Sequence, residues 1–215
     1  MPSVVITGAG RGIGLEFARQ YAAEGWDVTA TVRQPSAELH ALGVRIMTLD
    51  VADFEAVASF PDQIDRRLDL FIANAGVSAP QRIGDAKAAE EWQRVHAVNA
   101  VAPVLLAERL ATKMAPEGKM AAITSRMGSI ADSSGGYIAY RASKAALNAA
   151  WYALSRELAV PMVLFHPGWV QTDMGGPNAQ IGPRESVAGM RGVIERLTGA
   201  QSGSFVDYRG QPIPW

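Results

Sequence analysis

A tyrosine and a lysine stand four residues apart in the segment Tyr140-Arg-Ala-Ser-Lys144. If that segment is helical, both side chains lie on one face of the helix, one turn apart. A lysine ammonium beside a phenol favours the phenolate, so it lowers the phenol pKa from about 10 toward neutral pH. Such a tyrosine can donate a proton to a carbonyl oxygen while a hydride adds to the carbon, or accept the proton of an alcohol. The alternative is a helical surface pair of little energetic value.

A serine ends an apolar run before this tyrosine. Ser125 follows Met120-Ala-Ala-Ile-Thr124, a run typical of a strand that is buried on both faces of a parallel sheet. Ligands of such sheets bind beyond the carboxyl ends of the strands. The Ser125 hydroxyl can therefore hold a substrate carbonyl and stabilise the negative charge that develops on its oxygen. A turn or helix-cap serine is the alternative, and in isolation it is the more common role.

Asn99 lies in the middle of a predicted long helix, where asparagine is a poor helix former. A buried amide at this place can bind a water molecule for proton relay. The alternative is a packing role, or a kink associated with the nearby Pro103.

Glycines cluster between the first apolar run and the first helical pattern. The segment Thr7-Gly-Ala-Gly-Arg-Gly-Ile-Gly14 allows a tight backbone turn and close approach to a pyrophosphate. The helix that follows offers free N–H groups and the positive end of its dipole to an anion. The spacing G-x-x-x-G-x-G differs from the more common G-x-G-x-x-G. A turn without a ligand is the alternative, but the position between strand and helix favours a nicotinamide dinucleotide.

The end of the second apolar run indicates which dinucleotide is preferred. NAD-preferring sites place Asp or Glu about 20 residues beyond the glycines, on the ribose 2′-hydroxyl. Here the run ends Thr31-Val-Arg33, and the acidic Asp27 lies at its start. Arg33 and Arg11 together can clamp a 2′-phosphate because guanidinium groups bind phosphate in a bidentate manner. Two solvated surface arginines are the alternative, so the sequence predicts NADP(H) over NAD(H).

Three further segments follow predicted strands. Asp50 can accept a hydrogen bond from the adenine amino group, or it can cap a helix that begins near Asp53. Asn74-Ala-Gly76 closes the fourth strand, and Pro167-Gly168 closes the sixth, where it can form a wall for the nicotinamide.

The elements that must position these residues alternate between short β-branched runs and longer helical patterns. This rhythm predicts a single α/β domain over residues 1–215, a Rossmann fold with a doubly wound parallel sheet of about seven strands. The predicted strands are Val4–Thr7, Val28–Val32, Val44–Leu49, Leu68–Ala73, Met120–Thr124, Met162–Phe165 and Gly203–Val206. The predicted helices are Gly14–Glu24, Ala88–Met114 (bent near Pro103), Tyr137–Ala159 and Pro183–Leu197. Two stretches are predicted loops, Ser125–Gly136 and Gln171–Gly182.

Composition narrows the class of protein. The 215 residues carry a formal net charge of −1, and no basic stripe indicates a nucleic-acid or membrane partner. Cysteine is absent, which excludes disulfides and thiol nucleophiles, and the three histidines are scattered, so no metal site is predicted. No apolar run is long enough for a membrane span, and the N-terminal residues do not resemble a signal peptide. We therefore expect a cytoplasmic location.

Taken together, these segments resemble the short-chain dehydrogenase/reductase family over essentially the whole chain. The matching residues are Thr7–Gly14, Asp50-Val51, Asn74–Gly76, Asn99, Ser125, Tyr140, Ser143-Lys144 and Pro167-Gly168. Within the family, the chain looks most like the group of C-factor and sniffer-type carbonyl reductases. The segments that carry this likeness are Ile123–Ile130, Tyr140–Asn148, His166–Met174 and the final Pro-Trp.

The resemblance implies a catalytic tetrad of Asn99, Ser125, Tyr140 and Lys144, with Lys144 also holding the nicotinamide ribose. It implies that Thr172 meets the nicotinamide carboxamide. The full set of residues expected at the cofactor is Gly8, Arg11, Gly12, Ile13, Gly14, Arg33, Asp50, Val51, Asn74, Ala75, Gly76, Tyr140, Lys144, Pro167, Gly168, Val170 and Thr172.

Several departures from the family pattern are visible. Ala73 precedes Asn74 where the family usually has a second asparagine. The spacing from Ser125 to Tyr140 is slightly long, so the loop 126–136 is enlarged. The chain is shorter than typical members and its segment Gln171–Gly182 is brief, which predicts a small substrate lid and an open cleft.

The resulting expectation is an NADPH-dependent reductase of small ketones, aldehydes or quinones, acting on a small-molecule carbonyl or alcohol. Met127, Tyr137, Trp169 and Met174 are candidates for the cleft lining, or are ordinary core residues. The alternatives are a dinucleotide-binding signalling or sensing protein of C-factor type with little turnover, and an NAD-linked alcohol dehydrogenase.

Association is predicted from the helices that carry Asn99 and Tyr140. They are long and partly apolar outside the site, and Trp151 and Tyr152 are candidates for a dimer face. The alternative is that these two aromatic side chains pack inward. We expect a homodimer or a tetramer.

Overall fold

A computed structural model describes residues 1–78 and 84–215 and shows a seven-stranded sheet with helices on both faces. The strands lie in the order β3-β2-β1-β4-β5-β6-β7, and all six neighbouring pairs are parallel. Their bounds are β1 Ser3–Thr7, β2 Asp27–Val32, β3 Arg45–Thr48, β4 Leu68–Ala73, β5 Met114–Ile123, β6 Met162–His166 and β7 Ser204–Asp207. The predicted single-domain Rossmann fold is confirmed.

Helices cover the two faces of this sheet and bury two hydrophobic cores. Their bounds are α1 Gly12–Ala23, α2 Ala37–Ala41, α3 Phe54–Ser59, α4 Ala86–His96, α5 Ala102–Leu110, α6 Ile138–Glu157 and α7 Pro183–Arg196. Side chains alternate along each strand, so Val4 and Ile6 enter the core beneath α1 and α7, whereas Val5 enters the core beneath α3, α5 and α6. Burial on both faces explains why the strands are almost continuously apolar.

The direction in which strands are added reverses between β1 and β4. These two strands are neighbours in the sheet, although β2 and β3 lie between them in the sequence. Such a switch point opens a crevice at the carboxyl ends of the strands. The glycine segment after β1 and Asn74-Ala-Gly76 after β4 therefore meet at the same crevice.

The prediction of one helix over Ala88–Met114 was wrong in two respects: the helix is interrupted, and it ends before Met114. The structure divides it into α4, a π-helical turn Ala97–Val101, and α5. Pro103 lies in the first turn of α5, where its missing N–H is tolerated, and the preceding ladder rearranges into the wider turn. The irregular turn therefore precedes Pro103, and Asn99 lies inside it.

Met114 belongs to β5 rather than to that helix, and β5 begins six residues earlier than predicted. The segment Pro116-Glu-Gly118 inside it has the composition of a turn, and the pairing of β4 with β5 is irregular between Leu68 and Leu70. The short helix α2 was not predicted, and its first turn is capped by the Ser36 hydroxyl.

The two aromatic residues predicted on a dimer face separate in the structure. Trp151 is fully buried in the core beneath α6, so its assignment to a surface was wrong. Tyr152 is 47% exposed and contacts the ring of Trp215. Within the part of the chain that the structure describes, no helix has both the length and the apolar character needed to cross a membrane.

Candidate active site

The glycine segment is pressed against the residues that follow β4. Gly8 has a positive φ of 67°, and a Cβ atom there would lie 2.8 Å from the Cα of Ala75. A Cβ atom at Gly14 would lie 2.4 Å from the carbonyl oxygen of Gly8. Both positions therefore require glycine, and the loop cannot widen without moving the Asn74-Ala75 backbone.

Asn74 and Thr7 lock this loop in place. The Asn74 amide Nδ2 donates to the carbonyl oxygens of Thr7 and Gly8, at 2.9 and 3.1 Å. The Thr7 hydroxyl accepts from the backbone N–H groups of Asn74 and Ala75, at 3.0 and 3.1 Å. Asn74 was predicted as a cofactor contact, but its carboxamide supports the shape of the loop. Sequence reasoning missed the role of Thr7, because nothing local distinguishes it from any other residue that ends a strand.

The first turn of α1 presents its backbone N–H groups to the crevice. Among the described residues, no side chain caps this helix, and its first turn contains no acidic residue. Four N–H groups at a helix N-terminus lack intrahelical partners, and they attract an anion. Ile13 lies in this turn with its side chain partly buried in the adjacent core.

The two arginines predicted to share a phosphate have different surroundings. Arg33 is exposed at the end of β2. The Arg11 guanidinium instead contacts the Asp173 carboxylate at 2.7 Å, and both side chains are exposed. This ion pair joins the glycine segment to the chain after β6, and Thr172 packs over Gly12, where a Cβ atom would lie 3.1 Å from its Cγ2.

Asp50 is exposed after β3, and its carboxylate accepts from the N–H of Ala52 at 3.0 Å. The cap of α3 is Asp53, whose carboxylate accepts from the N–H groups of Glu55 and Ala56. The capping alternative for Asp50 was therefore wrong. Val51 is partly buried beside the core.

Tyr140 and Lys144 lie one turn apart on α6, as the spacing predicts. Lys144 is 4% exposed, and its Nζ atom lies 5.8 Å from the centre of the Tyr140 ring. Nζ donates to the carbonyl oxygen of Ile123 at the end of β5, at 2.9 Å. Burial lowers the Lys144 pKa to about 8, so the ammonium still predominates at neutral pH.

Ser125 combines both interpretations offered by the sequence. Its hydroxyl accepts from the N–H of Met127 at 3.1 Å and so caps a short 3₁₀ turn, Arg126–Gly128. It also contacts Tyr140. Burial raises the Tyr140 pKa, and the neighbouring Ser125 side chain acts in the opposite direction. The tyrosine is therefore neutral at physiological pH in this structure, the protonation state of a general acid.

The Asn99 side chain is a brace between β4 and α6. It is fully buried, and its Oδ1 accepts from the N–H of Val77 at 2.8 Å. Its Nδ2 donates to the carbonyl oxygen of Val77 at 2.9 Å and to the Ser143 hydroxyl at 3.0 Å. Both amide protons are thus engaged by protein atoms, which matches the packing alternative rather than a free water-binding amide.

Gly76 lies between this brace and Lys144. A Cβ atom there would lie 3.4 Å from Asn99 Oδ1 and 3.6 Å from Lys144 Nζ, which are ordinary contact distances. Its φ lies outside the left-handed region. Neither the backbone nor the packing around Gly76 therefore requires glycine, unlike at Gly8.

The comparisons with known proteins identify the family of the chain. A family model described as short chain dehydrogenase matches residues 2–180. The chain belongs to the short-chain dehydrogenase family. The C-signal protein of Myxococcus xanthus is 44% identical over 159 residues, which cover 69% of this chain and 93% of that protein.

Two solved structures resemble the whole chain. The carbonyl reductase Sniffer of Drosophila melanogaster is 30% identical, with a TM-score of 0.88 and full coverage of both chains. The NADPH-bound carbonyl reductase from chicken fatty liver is 31% identical, with a TM-score of 0.89, and covers 100% of this chain and 94% of that one. The predicted C-factor and sniffer-type relationship is confirmed, and this short-chain dehydrogenase is an NAD(P)(H)-linked oxidoreductase.

The segment after β6 closes the crevice of the dehydrogenase. Gly168 has a φ of 85°, and a Cβ atom there would lie 2.2 Å from Ile181 Cδ1. The Ser186 hydroxyl donates to the carbonyl oxygen of Pro167 at 2.6 Å, and Val170 pairs with Ile181 in a parallel bridge. These contacts fix the backbone that carries Thr172.

The residues proposed for the cleft lining differ in exposure. Trp169, Met174 and Tyr137 are 51, 54 and 42% exposed, whereas Met127 is half-buried. Tyr137 is the only described non-glycine residue with a positive φ, at 48°, and it directly precedes α6. In residues 1–78 and 84–215, no group of three or more His, Asp or Glu side chains is arranged to hold a metal ion.

Proposed function

We propose that this chain is an NADP(H)-dependent reductase of small carbonyl compounds, with Tyr140 as the general acid and residues 1–215 as one NAD(P)-binding domain. One observation carries the proposal. A phenol, a hydroxyl and a buried ammonium meet at the carboxyl edge of the sheet, on Tyr140, Ser125 and Lys144, beside a glycine loop that requires glycine at Gly8 and Gly14.

The crevice fits a nicotinamide dinucleotide. The uncapped N–H groups of α1 suit the pyrophosphate, and the glycines before that helix place no side chain between the backbone and the ligand. Gly12, Ile13, Asn74, Ala75 and Gly76 border that path, while Asp50 and Val51 flank the adenine end. Pro167, Gly168, Val170 and Thr172 border the nicotinamide end. When bound, the cofactor supplies the hydride and, in its oxidised form, a positive ring.

Each member of the tetrad has a part in proton transfer. Tyr140 Oη donates its proton to the carbonyl oxygen of the substrate, and the resulting phenolate is stabilised by the nearby Lys144 ammonium. The Ser125 hydroxyl donates to the same substrate oxygen and stabilises its developing charge. Asn99 joins β4 to α6 and fixes the lysine relative to the crevice. In the reverse direction, the phenolate accepts the proton of the alcohol.

The preference for NADP(H) rests on charge at the end of β2. Arg33 is exposed there, and Asp27 lies at the opposite end of the strand, where its carboxylate pairs with Arg66. A 2′-phosphate bound at the end of β2 would therefore meet the Arg33 cation. The NADPH bound to the chicken carbonyl reductase supports the same choice.

The deciding experiment is Tyr140→Phe. Turnover with a panel of aldehydes, ketones and quinones should fall by about 10²- to 10⁴-fold, because the proton donor is lost. The Kd for NADPH, measured by fluorescence, should remain within a few-fold of the wild-type value, since the ring is retained. Full activity in this variant would overturn the mechanism.

The 44% identity to C-signal favours a second candidate, a dinucleotide-binding signalling protein with little turnover. The two functions separate in one screen. Tight NADPH binding with no reduction of any carbonyl in the panel would support the signalling function. Turnover that disappears in Tyr140→Phe would support the reductase. Homodimer or tetramer formation and a cytoplasmic location remain predictions.

A further inference from the structure

The segment Gln211–Trp215, which we call the strap, lies against β7 and reaches the loop after Ser125. It bonds antiparallel to β7: the N–H of Ile213 donates to the carbonyl oxygen of Phe205 at 3.0 Å, and Pro212 pairs with Val206. Ile213 is buried in the core beneath α6. The strap is therefore held to the sheet at Pro212 and Ile213.

Trp215 holds the far side of the catalytic serine's loop. Its main-chain oxygen accepts from the N–H of Ala131 at 2.9 Å and from the Ser129 hydroxyl at 3.3 Å. Its ring packs on Phe205 and Tyr152, with ring centres 5.5 and 5.4 Å apart. The indole thus anchors the residue whose backbone receives the loop.

The other side of the same loop is pressed against α6. The turn closes through the Gly128 N–H, which donates to the carbonyl oxygen of Ser125 at 2.8 Å. A Cβ atom at Gly128 would lie 2.8 Å from the carbonyl carbon of Lys144. Ser129 is 1% exposed, and its hydroxyl also accepts from the N–H of Asp132 at 3.0 Å. Beyond Asp132 the loop is exposed as far as the start of α6.

We propose that Trp215 is a positioning residue for the reaction: the strap clamps the turn after Ser125 onto α6 and so fixes the Ser125 hydroxyl against Tyr140. The catalytic part of this inference rests on the proposed function. Without the indole, the main chain of residue 215 is no longer anchored against Phe205 and Tyr152, so its oxygen no longer holds Ala131 and Ser129 in place. Only the α6 side then holds the turn. Ser125 caps that turn, so its hydroxyl follows any movement of it.

The test compares Trp215→Ala with Trp215→Phe. In Trp215→Ala we expect kcat to fall on the order of ten- to a hundred-fold, because small displacements of reacting groups have effects of that size. The KM for NADPH should change less than about twofold, since the glycine loop is untouched. The acid limb of the pH profile for alcohol oxidation should move to higher pH, because the Ser125 contact lowers the Tyr140 pKa. Phenylalanine should restore most of kcat by refilling the site against Phe205.

The matched control is Trp26→Ala. Trp26 is another tryptophan whose ring packs on a tyrosine, Tyr21, but it precedes β2, far from β7 in the strand order. This variant should lose stability without a change in kcat or in the pH profile. If Trp215→Ala does not fold, Ser129→Ala removes one of the two donors to Trp215 and should give a smaller loss of kcat with the same shift of the pH profile.

Amide hydrogen exchange separates this inference from the proposed function. The N–H groups of Gly128, Ser129 and Ala131 should exchange faster in Trp215→Ala, or in Ser129→Ala if the first does not fold, than in wild type or Trp26→Ala. Unchanged protection, or wild-type kcat with a wild-type pH profile, would overturn the role of the strap. If the wild-type protein reduces no carbonyl, the proposed function fails, and the exchange result alone decides whether the strap holds the loop.

Discussion

The two halves of the crevice are built from different materials. On the side of β1, the candidate cofactor site is formed by backbone: glycines, uncapped N–H groups, and side chains such as Asn74 that only brace the loop. On the side of β5, the candidate reaction site is formed by buried polar side chains, with Lys144 and Asn99 almost or fully excluded from solvent. A site formed by backbone works only if the ligand can come close to the main chain. A site formed by buried polar side chains works only if the fold offsets the free-energy cost of removing those groups from water.

The largest expected effect is on the side-chain half. Lys144→Met should reduce turnover by about 10²- to 10⁴-fold, because the phenolate loses its counter-charge. In the absence of cofactor at pH 7, the free energy of unfolding of the same variant should be about 2 kcal/mol higher than that of wild type, so the variant should be more stable. Burial lowers the Lys144 pKa from 10.5 to about 8, so keeping this side chain charged at pH 7 destabilises the folded protein by roughly 3 kcal/mol. The net gain in the variant is smaller because the carbonyl oxygen of Ile123 loses its hydrogen-bond donor.

The sign of this effect can be checked with pH. The folded pKa of Lys144 lies below its unfolded value, so the stability penalty is present at neutral pH and disappears as the pH rises from about 8 to 10.5. Urea melts of wild type should show a gain over that window that the methionine variant lacks. A wild type that is more stable than the variant at pH 7 would contradict the idea of a costly buried cation.

In the backbone half, adding a methyl group should lower the stability of the protein, whereas Lys144→Met should raise it. In Gly8→Ala the new methyl group meets the Ala75 backbone at a positive φ, so we expect a loss of about 2 kcal/mol in stability. The Kd for NADPH should rise at least tenfold because the loop must move. Calorimetry with and without NADPH measures both changes. Gly25→Ala is a useful control, since it has the same backbone constraint but no atom within 4 Å.

The smallest effect is expected at the exposed edge of the backbone half. Arg33→Asp should lower the affinity for NADPH relative to NADH by about tenfold or more, with little change in stability, because Arg33 is exposed. The ratio of the two Kd values, before and after substitution, measures this. A wild type that prefers NADH would show that the choice of cofactor was wrong.

Features that depend on neighbouring residues could be predicted from the sequence, whereas contacts between residues far apart in the sequence could not. The Tyr140 and Lys144 pair and the required glycines follow from helix spacing and a strand–helix turn, so they could be identified without a structure. The hydrogen bonds from Asn74 to the glycine loop span 66 and 67 residues, and no local signal specifies them. The pairing of Arg11 with Asp173 spans 162 residues, so no local pattern could predict it.

Errors in the elements have the same origin. The continuous helix through Asn99 was inferred from residue types, but the Val77 backbone and Ser143 engage the asparagine amide within the widened turn. The start of β5 was hidden because its exposed first half contains Pro116 and Gly118 and pairs with β4 irregularly. Trp151 was assigned to a surface because a helix pattern alone does not show which face meets the sheet.

Substitutions at Gly8 and at Gly76 should behave differently in a screen for folded protein and in a screen for turnover. A screen for folded protein would reject most substitutions at Gly8, since the backbone conformation and the neighbouring chain both forbid a side chain. The same screen would accept alanine at Gly76, which gains about 0.4–1 kcal/mol from a less flexible unfolded chain. Only selection for turnover would preserve Gly76, because a methyl group there occupies the space between Asn99 and Lys144. The contrast between the two screens thus distinguishes a glycine kept by architecture from one kept by chemistry.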